Sequence, residues 1–237
     1  MTEPTAGDQR AGERSPRIVV FDLGEVLSTP TGMIERLAAR VAHEPESFER
    51  AYWLRRLEYD LGLDTITYWT DVLESLGVPA TGDALEDLIR IDTESWTTIR
   101  ADARELLRGL HEAGTRIGIL SNATIEMAAA CRQGEWAPWV TDWFFSAELG
   151  LAKPDPAIYH RVTQELELPA ASILYIDDSR ASVESATIQG WDSHLWTSPL
   201  ATVTLLTEAG LIKRAATQEG GQWDRRMSGN KPAGGAS

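Results

Sequence analysis

Short apolar runs that stop at polar side chains constrain this chain more than any other feature. Arg17-Ile-Val-Val-Phe-Asp22, Arg116-Ile-Gly-Ile-Leu-Ser121 and Ile173-Leu-Tyr-Ile-Asp177 lack the alternation of a half-exposed strand. They predict strands buried on both faces. Trp143-Phe-Phe-Ser146 and Ser193-His-Leu-Trp-Thr197 predict two more. Amphipathic stretches over about 101–113 and 181–189 lie between them, closed by Gly114 and Gly190. Glycine suits the left-handed geometry that ends a helix. Strands alternating with helices predict an α/β fold: a three-layer α/β/α, Rossmann-like core around a parallel sheet.

Residues 31–98 break that rhythm. Met33-Ile34-Leu37-Ala38-Val41, then 48–61, 66–76 and 85–96, carry helical periods only, punctuated by Gly62, Gly77 and Gly82. The division expected is a core of 17–30 and 99–215 with an inserted α-helical cap domain over 31–98. Ligands in open α/β sheets sit outside the carboxyl ends of the strands, and the insertion leaves from such an end. Residues 1–16 and 216–237 are polar, without apolar period, and are expected to be disordered tails.

Parallel strands bring their carboxyl ends to one edge, so Asp22, Ser121 with Asn122, and Asp177 with Asp178 should converge there. Lys153 joins from Gly150-Leu-Ala-Lys-Pro-Asp-Pro156, a rigid turn opening a helix. Three carboxylates gathered together repel one another and rise in pKa unless a cation intervenes. A hard divalent ion such as Mg²⁺ answers this with oxygen ligands and retained waters. The Ser121 hydroxyl, the Asn122 amide and the Lys153 charge suit the non-bridging oxygens of a phosphoryl group. Asp22 could then attack phosphorus, giving an aspartyl-phosphate that water hydrolyses.

The four pieces, in this order on strand ends, resemble the four motifs of the haloacid dehalogenase superfamily over roughly 17–212. The long interval between Asp22 and Ser121 is similar to the subclass with an α-helical cap between motifs one and two. The resemblance implies Asp22 as nucleophile and metal ligand, and the Gly24 carbonyl as a second ligand. It implies Ser121, with Asn122 behind it, as the phosphate-binding motif, and Lys153 as the cation that neutralises nucleophile and phosphate. It implies Asp178 as a direct Mg²⁺ ligand and Asp177 as a direct or water-mediated one. The paired acids argue against true haloacid dehalogenation, which needs no metal and has a different fourth motif.

One position departs from the pattern. Most phosphatases of the superfamily carry Asp two residues after the nucleophile, where it protonates the leaving oxygen and then activates water; here it is Gly24. A general acid–base contributes about 10²–10⁴-fold. Four explanations stand open: a leaving group that departs unprotonated, substitution by Glu25, a proton from the cap, or a site that mainly binds. Some sugar-phosphate phosphatases of the superfamily show a similar DLG motif. The leading expectation is a Mg²⁺-dependent phosphohydrolase acting on a small organic phosphate, a sugar phosphate among the candidates. A prenyl-diphosphate-processing enzyme using the same metal site and a non-catalytic phosphate-binding protein are the alternatives.

The nine Trp residues of the chain call for core packing or an aromatic substrate wall. Trp53, Arg56 and Asp60 share a helical face by spacing, so Trp53 and Arg56 are candidate substrate-binding residues. The competing reading of Arg56 is a solvated ion pair. Lys plus Arg total 22 and Asp plus Glu 36, a net charge of −14 that disfavours nucleic acid. No signal peptide or membrane-spanning run is visible, and the single cysteine, Cys131, excludes an internal disulfide. The expected setting is cytoplasmic, with a small phosphorylated substrate, no nucleic acid or membrane partner, and a homodimer left open. The four histidines show no paired ligand spacing, and neither a G-x-S-x-G elbow nor a P-loop is present.

Overall fold

The computed structural model describes residues 18–212, so the tails expected at 1–16 and 216–237 lie outside the described residues. Strands β1 (Ile18–Phe21), β2 (Arg116–Ser121), β3 (Asp142–Phe145), β4 (Ile173–Asp177) and β5 (Asp192–Leu195) form one parallel sheet. Their order is β3-β2-β1-β4-β5. Neighbouring residues of a strand point to opposite faces, and here both faces are covered. Val19, Phe21, Ile119 and Ile176 pack on one side against Leu107, Met127 and Leu206. Ile18, Val20, Leu120 and Tyr175 pack on the other against Ile158, Tyr159 and Val162. This double burial is why the runs are apolar without alternation.

The chain builds outward from β1 to β2 and β3, then crosses to β4 and β5 on the other side. The carboxyl end of β1 is therefore the point where strand order reverses, the place such sheets bind ligands. Helices α1 (Met33–Arg40), α2 (Pro45–Leu54), α3 (Arg56–Asp60), α4 (Thr65–Ser75) and α5 (Gly82–Thr97) come between β1 and β2, ahead of α6 (Ala101–Glu112). The rest are α7 (Ile125–Gln133), α8 (Ser146–Leu149), α9 (Pro156–Leu166), α10 (Arg180–Ile188) and α11 (Pro199–Glu208). Gly114 and Gly190 stop α6 and α10 at φ +77 and +87, as their side-chain-free backbone allows. Thr124, Asp155 and Ser179 cap α7, α9 and α10 by accepting from backbone N–H groups. Such caps contribute about 1 kcal/mol each and fix the loops that leave β2 and β4.

The insert has its own apolar centre, with Leu37, Phe48, Tyr52, Tyr59, Tyr68, Trp69 and Leu88 buried. Its two ends are tied together. Ser28 bridges to Ile99, and the Arg100 backbone N–H donates to the Leu27 carbonyl at 2.9 Å. Trp96, near the end of α5, packs against both the insert and the sheet layer. The single helix expected over 48–61 is two, because the backbone turns at Arg55 (φ −123, ψ 19). No Gly or Pro marks this break. It accompanies two adjacent arginines taking opposite sides, Arg55 toward Glu58 and Asp71 and Arg56 toward the buried Asp60 and Asp92.

Candidate active site

Asp22 follows β1 directly, its backbone N–H still donating across the sheet to the Ile176 carbonyl at 2.9 Å. That extension sets its side chain beside the end of β4. Lys153 Nζ lies 2.8 Å from Asp22 Oδ1 and 2.6 Å from Asp177 Oδ2, so one ammonium clasps both strand ends. Asp177 is fully buried and is held further by the Tyr175 hydroxyl, which donates to Oδ2, and by the Ser179 N–H at 2.7 Å. Asp178 stands more open to solvent. Asp22, Asp177 and Asp178 each bring an oxygen within 4.8 Å of the others.

The electrostatics follow from one cation among three acids. Burial pushes the Asp22 carboxyl up to about 6; Lys153 pulls it back and Asp177 adds to the rise. Burial and the neighbouring Asp177 push Asp178 up as well. Burial works to lower the pKa of Lys153, but the Asp22 and Asp177 carboxylates outweigh it and raise the pKa above that of a free lysine. The surplus negative charge and the all-oxygen donor set fit a hard divalent cation. The Gly24 carbonyl accepts the Val26 N–H at 2.6 Å and keeps a second lone pair.

Ser121, at the end of β2, is buried and reaches Asp22 through its hydroxyl. Asn122 does something the sequence did not suggest. Its Nδ2 donates to the Lys153 carbonyl at 2.9 Å and its Oδ1 accepts the Lys153 N–H at 2.8 Å. These two bonds tie the Asn122 side chain to the lysine's own backbone and position Lys153, while Asn122 also lines the cavity above Asp22.

A cavity of about 220 Å³ opens above Asp22, walled by Gly24, Glu25, Trp53, Arg56, Asp60, Trp96, Ser121, Met127, Lys153 and Asp178 among others. Trp53, Arg56 and Asp60 thus share one wall even though their helix is broken. Trp53 is 49% exposed at the rim. Arg56 is 5% exposed and forms a buried ion-pair cluster, not the solvated pair considered from sequence. Its Nε donates to Asp60 at 2.8 Å and its Nη1 to Asp92 at 3.1 Å. The Tyr52 hydroxyl donates to Asp92 at 2.6 Å and accepts from both Arg56 and Trp96 Nε1, the latter at 2.9 Å.

Tyr52, Asp92 and the particular place of Trp96 were missed by sequence reasoning. Asp92 did leave a signal, since it sits on the stripe of α5 that also carries the buried Leu85, Leu88 and Ile91. The aromatic count divides as packing and wall together. Trp69, Trp136 and Trp191 are buried in the core, while Trp53 and Trp96 face the cavity.

An aspartate just past β1, a lysine clasping it and a pair of acids after β4 thus meet at the switch point of a parallel sheet. The haloacid dehalogenase-like hydrolase family matches residues 16–187, and the chain belongs to that family. It is 28% identical over 185 residues to Phosphatase MT3486 from Mycobacterium tuberculosis, covering 75% of this chain and 85% of that protein. It is 25% identical over 204 residues to the phosphoglycolate phosphatase of Pseudomonas fluorescens, covering 78% and 71%. Among solved structures, a dehalogenase matches with a TM-score of 0.67 at 22% identity, over 81% of this chain and 97% of that one. A HAD family enzyme from Bacteroides thetaiotaomicron, in complex with magnesium and inorganic phosphate, matches at 0.65 and 18% identity, over 77% and 94%. At those identities the structures speak for the fold. No helix among the described residues is long and apolar enough to cross a membrane.

Proposed function

We propose that the protein is a Mg²⁺-dependent phosphohydrolase that releases phosphate from a small organic phosphate through an aspartyl-phosphate on Asp22. One observation carries this reading: Lys153 clasps Asp22 and Asp177 at 2.8 and 2.6 Å at the floor of a cavity. Asp22, Asp178 and the Gly24 carbonyl would hold the cation, with Asp177 joining directly or through water. When bound, the ion supplies charge neutralisation for an incoming phosphoryl group.

The chain's own residues account for the rest. Lys153 keeps its proton and stabilises Asp22 as the carboxylate, the form that can attack. Ser121 sits beside Asp22 to meet a phosphoryl oxygen, and Asn122 holds the Lys153 loop in register. Residues 31–98 act as the cap, bringing Trp53, Arg56 and Asp60 over the nucleophile to meet the organic part of the substrate.

The size and polarity of the cavity weigh against a prenyl chain. About 220 Å³, with charged groups on floor and wall, is less than drug-sized ligands occupy. The intact set of Asp22, Lys153, Asp177 and Asp178 weighs against a protein that only binds. The test is phosphate release from a panel of phosphate esters, sugar phosphates and acyl phosphates, with Mg²⁺ and with a chelator. Turnover is expected only with Mg²⁺, and Asp22→Asn should abolish it while circular dichroism stays unchanged. Retained turnover in Asp22→Asn would remove this mechanism.

A further inference from the structure

We propose that Trp96 occupies the ground above Asp22 that a proton-donating side chain at position 24 would need. The site is thereby restricted to phosphates whose leaving oxygen departs as a stable anion: acyl, enol or aryl phosphates. This rests on the phosphohydrolase reading and narrows its substrate class.

Position 24 lies two residues beyond the nucleophile and faces the cavity. A Cβ built there would come 2.9 Å from Cζ3 and 3.3 Å from Cε3 of Trp96. Carbon atoms do not approach so closely, so any side chain at 24 must displace the indole. The indole is not free to move. Its Nε1 donates to the Tyr52 hydroxyl at 2.9 Å, and that hydroxyl is fixed by Asp92 and Arg56. Trp53 packs edge-on against the ring at 6.5 Å, and the Arg56 guanidinium lies 5.8 Å from its centroid. With Nε1 engaged inside the insert, the ring presents carbon alone to the reacting groups.

The other buried titratable walls are already engaged. The Lys153 proton is locked between two carboxylates. Arg56 is permanently charged and doubly paired. Asp60 is held by Arg56 at 2.8 Å; Glu25 is exposed at the cavity's edge, so Glu25→Gln should leave the leaving-group series steep.

The chemistry balances without a donor for one class of substrate. A bond forms between an Asp22 oxygen and phosphorus as the bond from phosphorus to the leaving oxygen breaks. The electron pair stays with that oxygen, which departs as a carboxylate, enolate or phenolate. Water then attacks phosphorus, the Asp22–phosphorus link breaks, the carboxylate is restored, and the water's second proton ends on the released phosphate. An alkoxide, about as basic as hydroxide, is a poor leaving group by this route.

The test compares acetyl phosphate, 4-nitrophenyl phosphate, phenyl phosphate and glycerol phosphate with the full-length protein and Mg²⁺. Released phosphate gives kcat/KM, and intact mass after acid quench reports phosphorylated enzyme. The rate should fall steeply as the leaving oxygen becomes more basic, with glycerol phosphate roughly 10²–10⁴-fold below the aryl esters, the factor a general acid supplies. Added mass of one phosphoryl group should appear with acetyl phosphate and not with glycerol phosphate. The double variant Gly24→Asp with Trp96→Ala, which makes room for a carboxyl, should flatten the series, and Trp96→Ala alone should leave it steep.

A flat series in the unaltered protein would overturn the proposal by showing that another group donates. Flattening by Trp96→Ala alone would also overturn it, since the ring would then exclude alkyl groups by bulk. If none of the four substrates yields phosphate or phosphoenzyme, the phosphohydrolase reading itself fails and takes this inference with it.

Discussion

Two buried charge clusters face the same cavity, and each holds more carboxylates than cations. At the sheet edge Lys153 meets Asp22 and Asp177, with Asp178 alongside. In the insert Arg56 meets Asp60 and Asp92. They differ in how the surplus negative charge can be settled. The sheet-edge oxygens lie within 4.8 Å of one another and Asp178 reaches solvent, so an ion can enter. Asp92 is 1% exposed and shut in by Tyr52, Arg56 and Trp96, so only a proton can do the same work. A like imbalance becomes a binding site where it meets water and a titrating strut where it does not.

The largest test of that contrast removes the cations. Arg56→Met leaves Asp60 and Asp92 buried without a cation, and should lower stability by about 3–5 kcal/mol in denaturant unfolding. Lys153→Met should cost a similar amount in the presence of a chelator. Mg²⁺ should restore part of the loss in Lys153→Met and none in Arg56→Met. If both variants respond equally to Mg²⁺, the two clusters are not different in kind.

A smaller effect is expected from the ion itself. A ligand that binds only the folded state at a hundredfold excess over its Kd adds about 2.7 kcal/mol. Thermal unfolding of the unaltered protein should rise with Mg²⁺ accordingly, by roughly 2–4 °C per kcal/mol. Asp178→Asn should lose most of that rise and Asp60→Asn should keep it. An equal rise in Asp178→Asn would place the ion elsewhere.

The sheet-edge cluster was legible in the sequence, and the insert cluster largely was not. Asp22, Ser121, Asp177 and Asp178 stand at the ends of apolar runs, so strand polarity alone brings them together. Lys153 was marked by its Pro-rich turn. The role of Asn122 depends on two loops meeting, which local pattern cannot show. The approach of Trp96 to Gly24 depends likewise on how α5 docks on the β1 loop. Asp92 reads as one more acid in an acidic helix until its place on the apolar stripe is noticed. The turn at Arg55 carried no Gly or Pro to announce it. What strand topology dictates could be read from the sequence; what helix docking dictates needed coordinates.

The smallest expected effect is also the most specific to the closed cluster. Burial pushes the Asp92 carboxyl up to about 7; Arg56 opposes this, and Asp60 and Glu126 add to it. The folded pKa lies above the ordinary value of 3.8, so the folded state holds the proton more tightly than the unfolded chain. Stability owed to this group is therefore present in full below the unfolded pKa and fades as pH rises through about 7. Between pH 8 and pH 6 the gain on acidification should be about 1.4 kcal/mol, one pKa unit's worth. Asp92→Asn removes this titration while leaving Arg56 paired with Asp60. Subtracting its unfolding profile from that of the unaltered protein cancels the titration of Asp22, which both share. The difference should grow in favour of the unaltered protein as pH falls from 8 to 6. A difference that stays constant, or grows the other way, would mean that Asp92 remains ionised and that the insert balances its charges without a proton.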